Sequence, residues 1–127
     1  MNFQALIDDY LIGLGMTAGA IIGITDGAVR AVAGPGFNLK AGEGLKIISS
    51  YKSVSDVLIY GIVLNGIKYM GIGNDGRSIY GKRGSEGCTC VKTGQYIVIG
   101  VFNGSLNPDT GYQTVENLAD RIISSGN

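Results

Sequence analysis

An α+β fold is predicted: a central antiparallel sheet of six or seven strands, with the terminal helices on one face and a shorter middle helix on the other. Three observations predict it. Both ends of the chain carry apolar stripes at helical spacing. Between them, short β-branched runs alternate with turn chemistry. The connections are hairpin-like, so successive strands pair antiparallel and the two amphipathic helices have a sheet to cover. At 127 residues the chain fits a single domain, 1–127.

Residues 3–11 place Phe3, Leu6, Ile7, Tyr10 and Leu11 at i, i+3, i+4, i+7 and i+8, with Gln4, Asp8 and Asp9 off the stripe. Tyr10 is read as a core residue by its place in that stripe. Asp8 and Asp9 lie early in the helix, where its dipole favours anions. Gly13-Leu14-Gly15 ends it. Residues 18–24 are too short and too β-branched for a helix and read as a buried strand. Asp26-Gly27 suits a tight hairpin turn, residues 28–33 return as a strand, and Gly34-Pro35-Gly36 closes it. Residues 39–50 read as a short helix, with Leu45, Ile47 and Ile48 as a partial stripe and Gly42 and Gly44 weakening its start.

Residues 57–64 and 67–72 flank Asn65-Gly66 and read as paired strands, because both turn residues tolerate positive φ. Residues 78–80 and 88–93 read as the arms of a further hairpin around a turn at 81–87, and residues 95–103 as one more strand. Asn107 is a good N-cap, with Pro108 at the first helical position. From there Val115, Leu118, Ala119, Ile122 and Ile123 repeat the helical stripe, leaving Glu116, Asp120 and Arg121 outside it.

Ten cations balance ten anions, so net charge does not point to nucleic acid. The distribution is uneven: Lys68, Arg77, Lys82, Arg83 and Lys92 fall in one central span against Asp75 and Glu86. The turn at 81–87 mixes charge with glycine and reads as exposed, and residues 88–93 read as a strand with one wet face. A basic hairpin on a neutral chain suits an anion or an acidic partner. No apolar run reaches the ~20 residues that span a bilayer, and no leader pattern opens the sequence, so a cytoplasmic, cytoskeletal location is expected.

No enzyme, cofactor or metal site is expected. Residues 71–76 match GxGxxG and residues 76–82 match GxxxxGK, but a strand follows the first pattern and strand-like residues lie within the second. Arg83 stands where a phosphate loop needs Ser or Thr. There is no histidine to serve a hydrolase triad. Asp8 and Asp9 are neighbours on a helix and point apart. Cys88 and Cys90 share one strand face, poorly placed to bond each other, and read as reduced, half-buried packing residues.

Arg77-Ser78-Ile79-Tyr80-Gly81-Lys82-Arg83-Gly84, followed by Val91-Lys92-Thr93, resembles the central hairpin of profilins, the small actin-monomer-binding proteins. Phe3-Gln4-Ala5 with Ile7-Asp8-Asp9 and Leu11 is similar to that family's opening helix. Ala20-Ile21-Ile22-Gly23 with Asp26-Gly27 is similar to its first hairpin. Gly66-Ile67-Lys68-Tyr69-Met70 resembles its middle, and Pro108 with Val115-Glu116-Asn117-Leu118-Ala119-Asp120 its last helix. The order and spacing of these pieces carry the resemblance over nearly the whole chain.

The resemblance implies the same sandwich of sheet and helices. It also implies a face for monomeric actin built from the later strands, the middle helix and the start of the last helix. That face would include Lys68, Arg77, Lys82, Arg83 and Glu116, with Lys92 nearby. It further implies phosphoinositide binding through Lys82, Arg83 and Lys92, and no cofactor. The chain departs from the family in its groove for proline-rich ligands. The first tryptophan position is Phe3, the tyrosine position on that helix is Leu6, the second tryptophan position is Arg30, and the C-terminal tyrosine position is Arg121. With one aromatic left of four, proline-rich ligands are expected to bind weakly or not at all. A monomer is expected. The same architecture also admits a small scaffold module of the roadblock or longin kind, docking on GTPases or trafficking complexes.

Overall fold

The structure, a computed structural model, describes all of residues 1–127. Twelve short segments build it in the order α1 (Phe3–Tyr10), a 3-10 turn (Ile12–Leu14), β1 (Ala18–Gly23), β2 (Val29–Ala33), α2 (Glu43–Ser50), α3 (Asp56–Tyr60), β3 (Ile62–Leu64), β4 (Ile67–Asn74), β5 (Ser78–Arg83), β6 (Glu86–Lys92), β7 (Tyr96–Phe102) and α4 (Pro108–Ser124). The strands form one seven-stranded sheet in the order β2-β1-β7-β6-β5-β4-β3. Every pairing is antiparallel.

Each sheet face carries its own core, as two-residue alternation requires. Ile7 of α1, Leu11 just after it, and Val115, Leu118 and Ile122 of α4 pack with Ile21, Val91, Val98 and Phe102. On the other face, Ile47 of α2 and Val57 of α3 pack with Ile22, Ile79, Cys88, Cys90, Ile97 and Ile99. Terminal helices on one side and the middle helices on the other is the layering the sequence predicts. Close approach makes it compact: a Cβ on Gly100 of β7 would collide with Val115 Cγ2 of α4, so only glycine lets the helix sit there. Asn107 caps α4 by accepting the Asp109 N–H, with Pro108 next.

Several local expectations are corrected. Residues 57–64 are not a strand. They split into α3 and the three-residue β3, broken at Gly61. The helix packs directly on β4, where a Cβ on Gly71 would collide with the Val57 carbonyl. Only Val57 of α3 is buried; Leu58, Ile59 and Tyr60 are exposed, so apolar character there marks a surface rather than a core strand. The helix expected over 39–50 begins at Glu43. Glu43 is buried, and its carboxylate faces backbone rather than solvent. Oε1 accepts the N–H groups of Lys40 and Asn65, and Oε2 that of Gly66. It thereby holds the Asn65-Gly66 turn, whose two residues take φ of 53° and 76°.

The β5–β6 turn is tighter than the expected 81–87. Arg83 pairs with Glu86, leaving Gly84 and Ser85 as the turn, while Gly81 and Gly87 are buried strand residues. The β6 strand has no wet face along its middle. Residues 87–91 are buried because helices cover both sheet faces, and Thr89 satisfies its hydroxyl on the Ile79 carbonyl. Cys88 and Cys90 are fully buried free thiols rather than half-buried ones, and burial raises both pKa values. The β1–β2 connection is a wider loop than a two-residue turn, held by Asp26 Oδ1 accepting the Ala28 N–H. Tyr10 is half-buried rather than core, and Asp8 and Asp9 lie in the last turn of α1 rather than at its start.

Candidate binding face

The antiparallel register of β4, β5 and β6 decides which central cations meet. Lys82 stands opposite Met70, and Lys68 lies two residues further along β4. Lys68, Lys82 and Arg83 therefore gather at the β5–β6 turn. Arg77 precedes β5 at its other end, and Lys92 ends β6 there, where its N–H donates to the Arg77 carbonyl. Five residue steps separate Arg77 from Lys82, about 17 Å at strand rise. The central cations are thus two groups and not one cluster. Lys92 does not share an end with Lys82 and Arg83. Its ammonium instead lies over the Tyr51 ring, 4.8 Å from the centroid.

An apolar band surrounds the turn end and extends along α4 toward the other. A cleft of about 350 Å³ opens where the β5–β6 turn meets the start of α4, lined by Ile72, Lys82, Phe102, Leu106, Pro108 and Tyr112 among others. A second depression of about 400 Å³ shares Ile72 and Tyr112 with it and adds Tyr80, Asp109, Gln113 and Glu116. A third, of about 480 Å³, lies between α3 and the turn, with Leu58, Ile59 and Met70 set among Lys68, Lys82 and Arg83. Lys82 lines both the first and the third. Lys68 and Lys82 form no ion pair, whereas Arg83 is held by Glu86 at 2.8 Å.

The aromatic and polar groups of the band are already engaged with one another. Tyr112 stacks edge-on against both Tyr80 and Phe102, at 4.9 and 5.3 Å between centroids. Glu116 Oε2 accepts from the Ser78 hydroxyl and the Tyr80 hydroxyl, each at 3.1 Å. Burial raises the pKa of the Tyr80 and Tyr112 phenols. Both therefore stay protonated near neutrality, as the Tyr80 donation to Glu116 requires. Nothing in the composition singled out Ile72, Tyr112 or the outer side of α3. Three large apolar residues in succession on a helix cut short by Gly61 were the available sign.

The positions of the proline-rich groove lie elsewhere, around α1. Phe3 packs edge-on against Tyr96 at 4.6 Å, and Leu6 lies half-buried against the adjoining core. Arg121 is folded over the Tyr10 ring, 4.1 Å from its centroid. Arg30 turns along its own hairpin, bonding Asp26 at 3.1 Å and the Ala28 carbonyl at 3.0 Å. Two of the four positions thus carry cations already tied down. Tyr96 supplies aromatic surface nearby that the four-position reading missed, and Tyr10, read as core, is half-buried beside it. No three His, Cys, Asp or Glu side chains converge as metal ligands would. No helix is long and apolar enough to cross a membrane.

The family model for profilin matches residues 1–127. The chain belongs to the profilin family. It is 45% identical over 126 residues to profilin-P of Physarum polycephalum, covering 99% of each chain. Its fold is similar to that of Acanthamoeba castellanii profilin II, with a TM-score of 0.92 at 37% identity, covering 99% of this chain and all of that one. A profilin solved as LokiProfilin2 with rabbit actin shares the fold at a TM-score of 0.75 and 24% identity, covering 98% of each chain. Membership of the profilin family sets the scaffold-module reading aside and places the chain among non-enzymatic proteins.

Proposed function

We propose that this chain is an actin-monomer-binding protein that regulates polymerisation, and that the band from α3 across the β5–β6 turn to the start of α4 is the actin face. The observation that carries this reading is the apolar band with unpaired Lys68 and Lys82 at its rim. Such an arrangement divides the work of binding: buried apolar contact supplies affinity, and rim charge steers an acidic partner and fixes its orientation. The actin partnership of the similar LokiProfilin2 structure supports the same assignment. Titration of fluorescent monomeric actin tests it. The wild type binds saturably, Lys82→Glu slows association in a salt-dependent way, and Ile72→Ser weakens binding mainly through faster dissociation. No saturable binding by the wild type rejects the reading.

Phosphoinositide head groups fit the Lys68, Lys82 and Arg83 end better than a site shared with Lys92. Charge reversal at Lys82 and Arg83 then removes binding to phosphoinositide vesicles, and reversal at Lys92 does not. Vesicle binding unchanged by the first substitution refutes that assignment.

A further inference from the structure

Arg77 stands apart from the other central cations because its guanidinium is engaged by the protein's own last helix. Nη2 donates to Asp120 Oδ1 at 2.6 Å and to the Glu116 carbonyl at 3.3 Å. Its Nε is buried without a partner, as expected of a side chain drawn inward from the start of β5 to reach α4. The backbone beneath is pinned as well. Asp75 Oδ1 accepts the N–H groups of Arg77 and Ser78, and the Arg77 carbonyl accepts from Lys92. One and three residues further on, Ser78 and Tyr80 both bond the Glu116 carboxylate. The start of β5 is therefore tied to two successive turns of α4, immediately beyond the turn that carries Tyr112.

We propose that Arg77 and Asp120 are positioning residues of the actin face: they hold α4 against β5 so that the Ile72–Tyr112 cleft is preformed beside Lys82, and Arg77 does not itself touch the partner. This rests on the actin reading above. The two roles for Arg77 make opposite demands on Asp120. If Arg77 met an acidic partner directly, Asp120 would compete for it, and removing Asp120 would leave binding unchanged or strengthen it. If the pair positions α4, losing either member loosens the same contact.

The test is the affinity for monomeric actin of the wild type, R77A, D120N, R77A/D120N and the reciprocal pair R77D/D120R. Thermal melts confirm that each variant is folded. Hydrogen exchange is followed over residues 108–120. The expected result is a loss of about threefold for either single variant, the scale of a half-exposed ion pair. The double variant is no weaker than the singles, and exchange at the start of α4 quickens in all three. The reciprocal pair restores affinity and slow exchange, although it places an aspartate where a direct contact needs a cation. The proposal is overturned if D120N binds as well as or better than the wild type, or if the reciprocal pair binds no better than R77A. A wild type that fails to bind actin rejects the actin reading and this role with it. That outcome is distinct from a binding wild type with the wrong variant pattern.

Discussion

Asp75 Oδ1 accepts two backbone N–H groups, from Arg77 at 3.0 Å and Ser78 at 2.7 Å, and so shapes the turn that sends Arg77 toward α4. The Ser78 N–H is the chief cause of its lowered pKa, with the Arg77 N–H adding to it. A carboxyl whose folded-state pKa lies below its unfolded value contributes stability in full above the unfolded value. It loses that contribution as pH falls through the lowered one. D75N keeps an acceptor oxygen but cannot titrate, so the acid limb of Tm against pH is expected to be shallower in D75N than in the wild type. Superimposable acid limbs would show that the turn draws nothing from the charge. The groove positions give a second prediction at this scale. With Arg30 tied to Asp26, Arg121 folded over Tyr10 and Phe3 packed edge-on against Tyr96, a decaproline peptide finds few free ring faces on which a PPII ligand stacks. Calorimetric titration is expected to show no binding at micromolar peptide. Micromolar binding that is lost on Phe3→Ala would contradict this.

Glu43 shows how one buried group joins elements distant in sequence. Its carboxylate closes the start of α2 and holds the β3–β4 turn through three backbone N–H groups. In E43Q, the side-chain amide nitrogen replaces one acceptor oxygen and then faces a backbone N–H group, donor against donor. The expected cost is about 1–3 kcal/mol, the range for an unsatisfied buried donor. It should appear as a lower denaturation midpoint at unchanged m. An unshifted midpoint would mean that water takes over both donors. At this scale the terminal helices were legible in the sequence, because Leu118 and Ile122 repeat at helical spacing and Asn107-Pro108 announces the start of α4. The Asn65-Gly66 turn was legible for the same kind of reason, since both residues tolerate positive φ, although the Glu43 carboxylate that holds it was not. The α3 helix was not. Its apolar run matches a buried strand by composition, and only tertiary contact, Val57 seated on Gly71, distinguishes them. The β6 burial was hidden because Thr89 looks solvent-facing until its hydroxyl is seen to bond the Ile79 carbonyl.

Across the whole molecule, the sheet gathers residues that the linear sequence scatters, and it also separates residues that the sequence groups. The central cations read as one basic span, yet antiparallel register sends Lys68, Lys82 and Arg83 to one end and Arg77 and Lys92 to the other. The apolar clefts around the first of those ends draw on α3, β4, the β5–β6 turn and α4, which no local pattern joins. Strand order β6-β5-β4 supplies that juxtaposition, with the helices covering both faces. The rim lysines are therefore expected to control encounter with an acidic partner while adding little to the fold, since both are exposed. The central claim, that this face sequesters monomeric actin, is tested most directly by spontaneous actin polymerisation followed by fluorescence with rising amounts of the protein. The account predicts slower nucleation with the wild type and restored nucleation with K82E/R83E, both proteins melting at the same temperature. Unchanged nucleation by the wild type at well above stoichiometric amounts would contradict it.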